Sequence, residues 1–187
     1  SVLFLNGLSG SIENEYGFNH ILIDGGGVGF LPIIISINGN LTTKTLEMRT
    51  GKLNIGSNKL TISGDGSGIN RPLRRIKQCD GVYCEISSDP TGELIFTGSA
   101  ETDIEPFEFG SLTFSGSGPY NFVNSLDPKV LYSPVVNGTL TVNGGTTVNI
   151  PTGKTLTVKG PIMNDGLIVV GVGSQFIHPA EYVTFTD

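Results

Sequence analysis

Four groups of residues in this chain have types and spacings suited to chemistry. Cys79 and Cys84 bracket Asp80-Gly81-Val82-Tyr83. Asp-Gly is a tight-turn pair, so a hairpin-like turn there brings the two sulfurs within bonding range. The expected chemistry is a disulfide that clips a small loop in an oxidising compartment; the alternative is two reduced thiols. Structural zinc needs four ligands, and the only histidines, His20 and His178, lie far off in sequence. Glu101, Asp103, Glu105 and Glu108 form an acidic stretch. Alternate spacing there puts Asp103 and Glu105 on one strand face, as candidates for calcium ligation or an acid/base pair. Charged strand edges that block aggregation explain the same residues more simply.

The basic residues cluster as Arg71, Arg74, Arg75 and Lys77. Arginine forks match carboxylate and sulfate geometry, which makes this run a candidate contact for an acidic glycan or another anionic partner. The plainer account is a solvated loop that balances Asp80, Glu85 and Asp89. Tyr120, Phe122 and Tyr132 are candidates for stacking on sugar rings, because Tyr120 and Tyr132 flank a stretch expanded relative to the first half of the chain. Expansions of a scaffold form loops, where binding surfaces arise. No nucleophile elbow with suitable partners is present. Asp24-Gly25-Gly26-Gly27 lacks the Gly-Lys-Ser/Thr of a phosphate loop. The expectation is a non-catalytic protein with no cofactor and no metal.

The elements that must position these groups read as strands. Ile21-x-Ile23, Leu53-x-Ile55, Leu60-x-Ile62, Leu94-x-Phe96, Leu112-x-Phe114, Leu140-x-Val142, Val148-x-Ile150 and Leu156-x-Val158 alternate with small polar residues, the pattern of half-buried strands. Gly and Asn turns separate them, and no segment has a helical period long enough to dock. Two all-β folds fit this pattern: a parallel β-solenoid of stacked coils, or an antiparallel β-sandwich. The close succession of Leu46, Leu53 and Leu60, and the Thr-x-Thr pairs at Thr139/Thr141 and Thr155/Thr157, favour the solenoid.

Composition agrees. The 187 residues are 37% hydrophobic and only 15% charged, which argues against disorder. The net charge of −6 disfavours nucleic acid as a partner, since phosphate neutralisation needs a basic face. No apolar run is long enough to span a bilayer as a helix.

Parts of the sequence occur twice. Phe18, Ile21, Ile23, Gly25 and Gly27 recur as Phe109, Leu112, Phe114, Gly116 and Gly118. Asn38-Gly39-x-Leu41 returns as Asn137-Gly138-x-Leu140, and Leu60-Thr61-Ile62 as Leu156-Thr157-Val158. Repeats that keep apolar residues and glycines while polar residues drift specify a stacked scaffold. The units drawn from them are a first repeat over 1–68, an insertion over 69–91 with the basic cluster and both cysteines, a second repeat over 92–163, and the start of a third over 164–187. Ser1-Val2-Leu3-Phe4-Leu5 already aligns with the interior segment Glu93-Leu94-Ile95-Phe96, so the chain is expected to be a piece of something longer.

Stretches such as Thr45 to Gly64, Val136-Asn137-Gly138-Thr139-Leu140-Thr141-Val142 and Gly153 to Gly160 resemble the Gly/Asn/Thr-rich β-solenoid repeats of large secreted surface proteins of Bacteroidetes. That resemblance implies an extracellular or cell-surface location, an adhesin-like role and export by the type IX route, although the sorting domain this route requires is not recognisable. The function expected is a non-catalytic structural or adhesive module of a stalk or adhesin. Its partners would be adjacent repeats of the same polypeptide or end-to-end copies, and surface glycans. The alternatives are a carbohydrate-binding module and a polysaccharide-degrading β-helix enzyme.

Overall fold

The computed structural model describes residues 2–5, 9–12, 16–24, 34–75, 85–89, 91–126 and 133–179. These fold as an all-β parallel solenoid with one short 3-10 turn, Gly68–Asn70. The first coil supplies β1 (Val2–Leu5) and β2 (Ser9–Ile12). Two long strands follow, β3 (Tyr16–Asp24) and β5 (Leu41–Thr50), with β4 (Ile34–Ile37) between them. Short strands then come three to a coil. They are β6 (Lys52–Gly56), β7 (Lys59–Ile62) and β8 (Leu73–Arg75), then β9 (Glu85–Ser88), β10 (Glu93–Phe96) and β11 (Thr102–Ile104). Next are β12 (Glu108–Phe109), β13 (Ser111–Phe114) and β14 (Pro119–Phe122), then β15 (Val135–Val136), β16 (Leu140–Val142) and β17 (Thr147–Ile150). The last are β18 (Thr155–Val158), β19 (Ile162–Asn164), β20 (Leu167–Val170) and β21 (Gln175–Ile177).

The strands stack into three faces. On the first, β7, β10, β13, β16 and β19 build outward from the N-terminal half of β5; on the second, β8, β11, β14, β17 and β20 build from its C-terminal half. The third face holds β2-β4-β6-β9 and β12-β15-β18-β21. Every pairing among the described strands is parallel. Antiparallel layers, the competing fold, would need hairpin pairing.

Alternation produces the core. Each strand sends every second side chain inward, and parallel register sets like over like. Leu41, Leu60, Leu94, Leu112, Leu140 and Ile162 form one such column on the first face. Leu60, Leu112 and Leu140 are wholly buried. A fully sealed side chain of this size contributes about 1.5–3 kcal/mol, so the columns supply most of the stabilisation.

The coil is the repeating unit in space. Leu41 and Leu140, paired by the sequence duplication, do share a column. Ile21 and Leu112 do not: Ile21 stacks with Leu46 and Leu73 on the second face, Leu112 with Leu94 on the first. Leu60 and Leu156 also lie on different faces. The ladders cross the unit boundaries read from sequence, with β7 pairing β10 over the 69–91 stretch and β17 pairing β20 over position 164. Arg74 and Arg75, read as part of an insertion, belong to a regular rung, β8. The two Thr-x-Thr pairs also divide, Thr141 to the first face and Thr157 to the third.

Glycine turns the corners. At the corner between the third and first faces, Gly92 sits against the Gly56 carbonyl, Gly138 against Gly110 and Gly160 against Gly138. A Cβ on Gly160 would run into the Gly138 carbonyl oxygen. The coils touch there backbone to backbone, which explains much of the glycine content without any phosphate loop.

Candidate functional site

The chemistry-bearing residues fall into three places. The first is a charge cluster inside the solenoid. β8 places Arg75 at an inner position, in register beside Met48, and its side chain is 0% exposed. Glu105, just past the end of β11, is also 0% exposed. Arg71 Nη1 donates to Glu105 Oε1 at 3.2 Å, and Arg75 Nη1 lies 3.7 Å from Glu105 Oε2. Ser125 Oγ donates to Oε2 at 2.9 Å, and the Leu126 amide donates to Oε1 at 3.3 Å. Arg71 also donates to the Gly68 and Asn124 carbonyls. Arg75 donates to the Pro106 carbonyl at 2.5 Å, and its guanidinium lies 3.4 Å from the centre of the Phe107 ring, a buried cation–π contact. Burial pushes the Glu105 carboxyl up from its ordinary range, against the pull of Ser125, the two arginines and the Leu126 amide.

This arrangement corrects three expectations. Arg71 and Arg75 are not a solvent-facing anion contact: buried, they hold a carboxylate of their own chain. Asp103 and Glu105 do not share a face, because β11 ends at Ile104 and the chain turns Glu105 inward. Asp103 stays outside and accepts from the Gly68 amide at 2.8 Å. Among the described residues no group of three or more His, Cys, Asp or Glu could hold a metal ion.

The second place lies on the outer surface of the second face. Arg74 donates to Glu47 Oε2 through both Nε (2.9 Å) and Nη2, and Arg49 Nε donates to Oε1 at 3.0 Å. Arg49 reaches on to Asp24 at 3.6 Å. Burial raises the Glu47 pKa, but the hydrogen bonds and charges of Arg74 and Arg49 outweigh it and hold the carboxyl below its ordinary value. Arg74 is thus tied into a charge ladder across adjacent coils.

The third place is a crevice of ≈ 360 Å³. It opens where the third face is interrupted: β9 and β12 adjoin without a ladder between them. Lys52, Glu85, Ser87, Ser88, Glu108 and Asn137 line it together with Arg75 and Phe107. Lys52 and Glu85 pair at 2.8 Å, and the Ser88 hydroxyl is buried with no hydrogen-bond partner. Sequence reasoning passed over this crevice, because a missing ladder between two regular strands leaves no mark in residue types.

No known protein family, curated protein or solved structure matches this chain.

Of the aromatic candidates, Tyr120 and Phe122 are core residues, 0% and 1% exposed. Their rings pack with Phe114 at 4.8 and 6.0 Å between centroids. The Tyr120 hydroxyl donates to the Gly98 carbonyl at 2.9 Å, and burial pushes its pKa up to about 12. No sugar reaches them in this fold. Their signal was the alternation Pro119-Tyr120-Asn121-Phe122, which marks a rung. Tyr132, Lys77, Cys79 and Cys84 lie outside the described residues.

Proposed function

We propose that this chain is a non-catalytic, extracellular structural module of a cell-surface stalk or adhesin, of the kind formed by the Gly/Asn/Thr-rich solenoid repeats it resembles in sequence. The observation that carries the reading is the continuity of the inner columns. From Leu41 to Ile162 one dry stack runs the length of the array. The charged groups that could serve chemistry, Arg71, Arg75 and Glu105, are spent on each other inside. The outer face is laced instead by polar ladders such as Asn149 to Asn121 to Glu101. Its partners are adjoining repeats or further copies, with surface glycans as the ligand class the crevice would suit. A crosslink between Cys79 and Cys84 belongs to the same reading, since it would persist outside the cell.

The test is surface labelling of intact cells that make the parent protein, with an antibody to this chain. Labelling that is lost on protease treatment of whole cells is expected; signal only after lysis overturns the proposal. Alkylation and mass measurement without reductant should find no free thiol at Cys79 or Cys84. A glycan array abolished by Lys52→Ala and Glu108→Ala would favour the second reading, a carbohydrate-binding module using the crevice.

A further inference from the structure

The last coil differs from every coil beneath it. In successive registers of the outward columns, Thr113 and Thr141 lead to Met163, Thr147 leads to Leu167, Asn121 and Asn149 lead to Val169, and Thr157 leads to Ile177. All four terminal residues are exposed and apolar. The inner side is open too: Val170 is 44% exposed, although Ile150, in register below it, is 0% exposed. β19, β20 and β21 each end their ladders, so one edge of every face lacks a partner among the described residues.

The opposite end of the array presents the matching set. β1 pairs only β3, and β2 pairs only β4, which leaves edges on the second and third faces. On the first face, Tyr16 to Phe18 of β3 pair only β5. Val2-Leu3-Phe4-Leu5 is apolar at all four positions, as is Leu167-Ile168-Val169-Val170, and both strands lie on the second face. Continuous apolar strands are those covered on both sides.

We infer that copies of this chain stack head to tail, with β20 of one copy pairing β1 of the next and β21 pairing β2. The inference rests on the structural-module reading and specifies its partner. Every ladder in the molecule is parallel, and only head-to-tail stacking continues it; tail-to-tail contact would set strands antiparallel. Asn164 and His178 occupy the positions above Val142 and Val158, where interior coils are apolar. The junction is therefore weaker than an interior step, and association depends on concentration. Such a contact is heterologous and does not close, so it makes rods and not a fixed dimer.

Sedimentation velocity over a concentration series tests this. The expected result is a mass that climbs through dimer to trimer and beyond; a monomer at all concentrations, or a limit at dimer, overturns it. Val169→Lys should weaken association by about tenfold or more, by placing an unpaired ammonium at the junction, with an unchanged thermal midpoint for the monomer. Mixing Val169→Lys with Phe4→Lys should restore a one-to-one dimer, since each chain keeps one intact end; no dimer from two folded variants counts against the stack. Surface labelling that persists while the chain stays monomeric would sink the stacking and leave the module reading standing.

Discussion

Glu105 is the residue on which the interior charge balance turns. Two arginines depend on it, and none of the three is in bulk water. Glu105→Ala should lower unfolding free energy by about 3–5 kcal/mol, the usual cost of breaking a buried ion pair from one side, as read from urea titration. Arg75→Met should cost less, because Arg71 still faces Glu105 and Met48 shows that the neighbouring rung accepts methionine. Glu47 sets a pH dependence of definite sign. Its folded pKa lies below the ordinary 4.5, so it adds stability above that value which is lost as pH falls through the folded pKa. Glu47→Gln should lose about 1–3 kcal/mol at neutral pH and show a flatter acid limb below pH 4.5 than the parent chain. Glu105 runs the opposite way: its raised pKa makes its contribution most favourable in acid, fading as pH rises through the folded value. None of this was legible in the residues. Charged side chains read as outside by default, and the one available signal was that Leu73-x-Arg75 repeats the alternation of Leu46-x-Met48.

At the scale of the strand and its corner, much more was legible. Period-two alternation located the strands, since a rung with one dry face leaves no other choice of residue. Face assignment was not legible, because three similar strands per coil carry similar alternations; a duplication could therefore join β3 to β13, which stack in different columns. The corners make their own test. Gly160→Ala should cost about 1–3 kcal/mol through overpacking against the Gly138 carbonyl, whereas alanine at a solvent-facing turn without that contact should cost far less. Leu140→Asp, which buries an unpaired carboxylate between Leu112 and Ile162, should cost about 3–5 kcal/mol or prevent folding. Thermal midpoints of the two variants check both figures.

The whole molecule is a stack whose strength comes from neighbours in space, and its stability should spread from coil to coil as in other repeat proteins. The parallel solenoid is the account's central claim, and close cross-coil pairs test it most directly. Thr113 and Thr141 are register partners on adjacent rungs, while Thr61 lies beyond the intervening β10. In a chain with Cys79 and Cys84 replaced by serine, Thr113→Cys with Thr141→Cys should form a disulfide under mild oxidation, because adjacent strands lie within bridging distance. Thr61→Cys with Thr141→Cys should stay reduced. Crosslinking of the distant pair in preference to the adjacent one would contradict the stack.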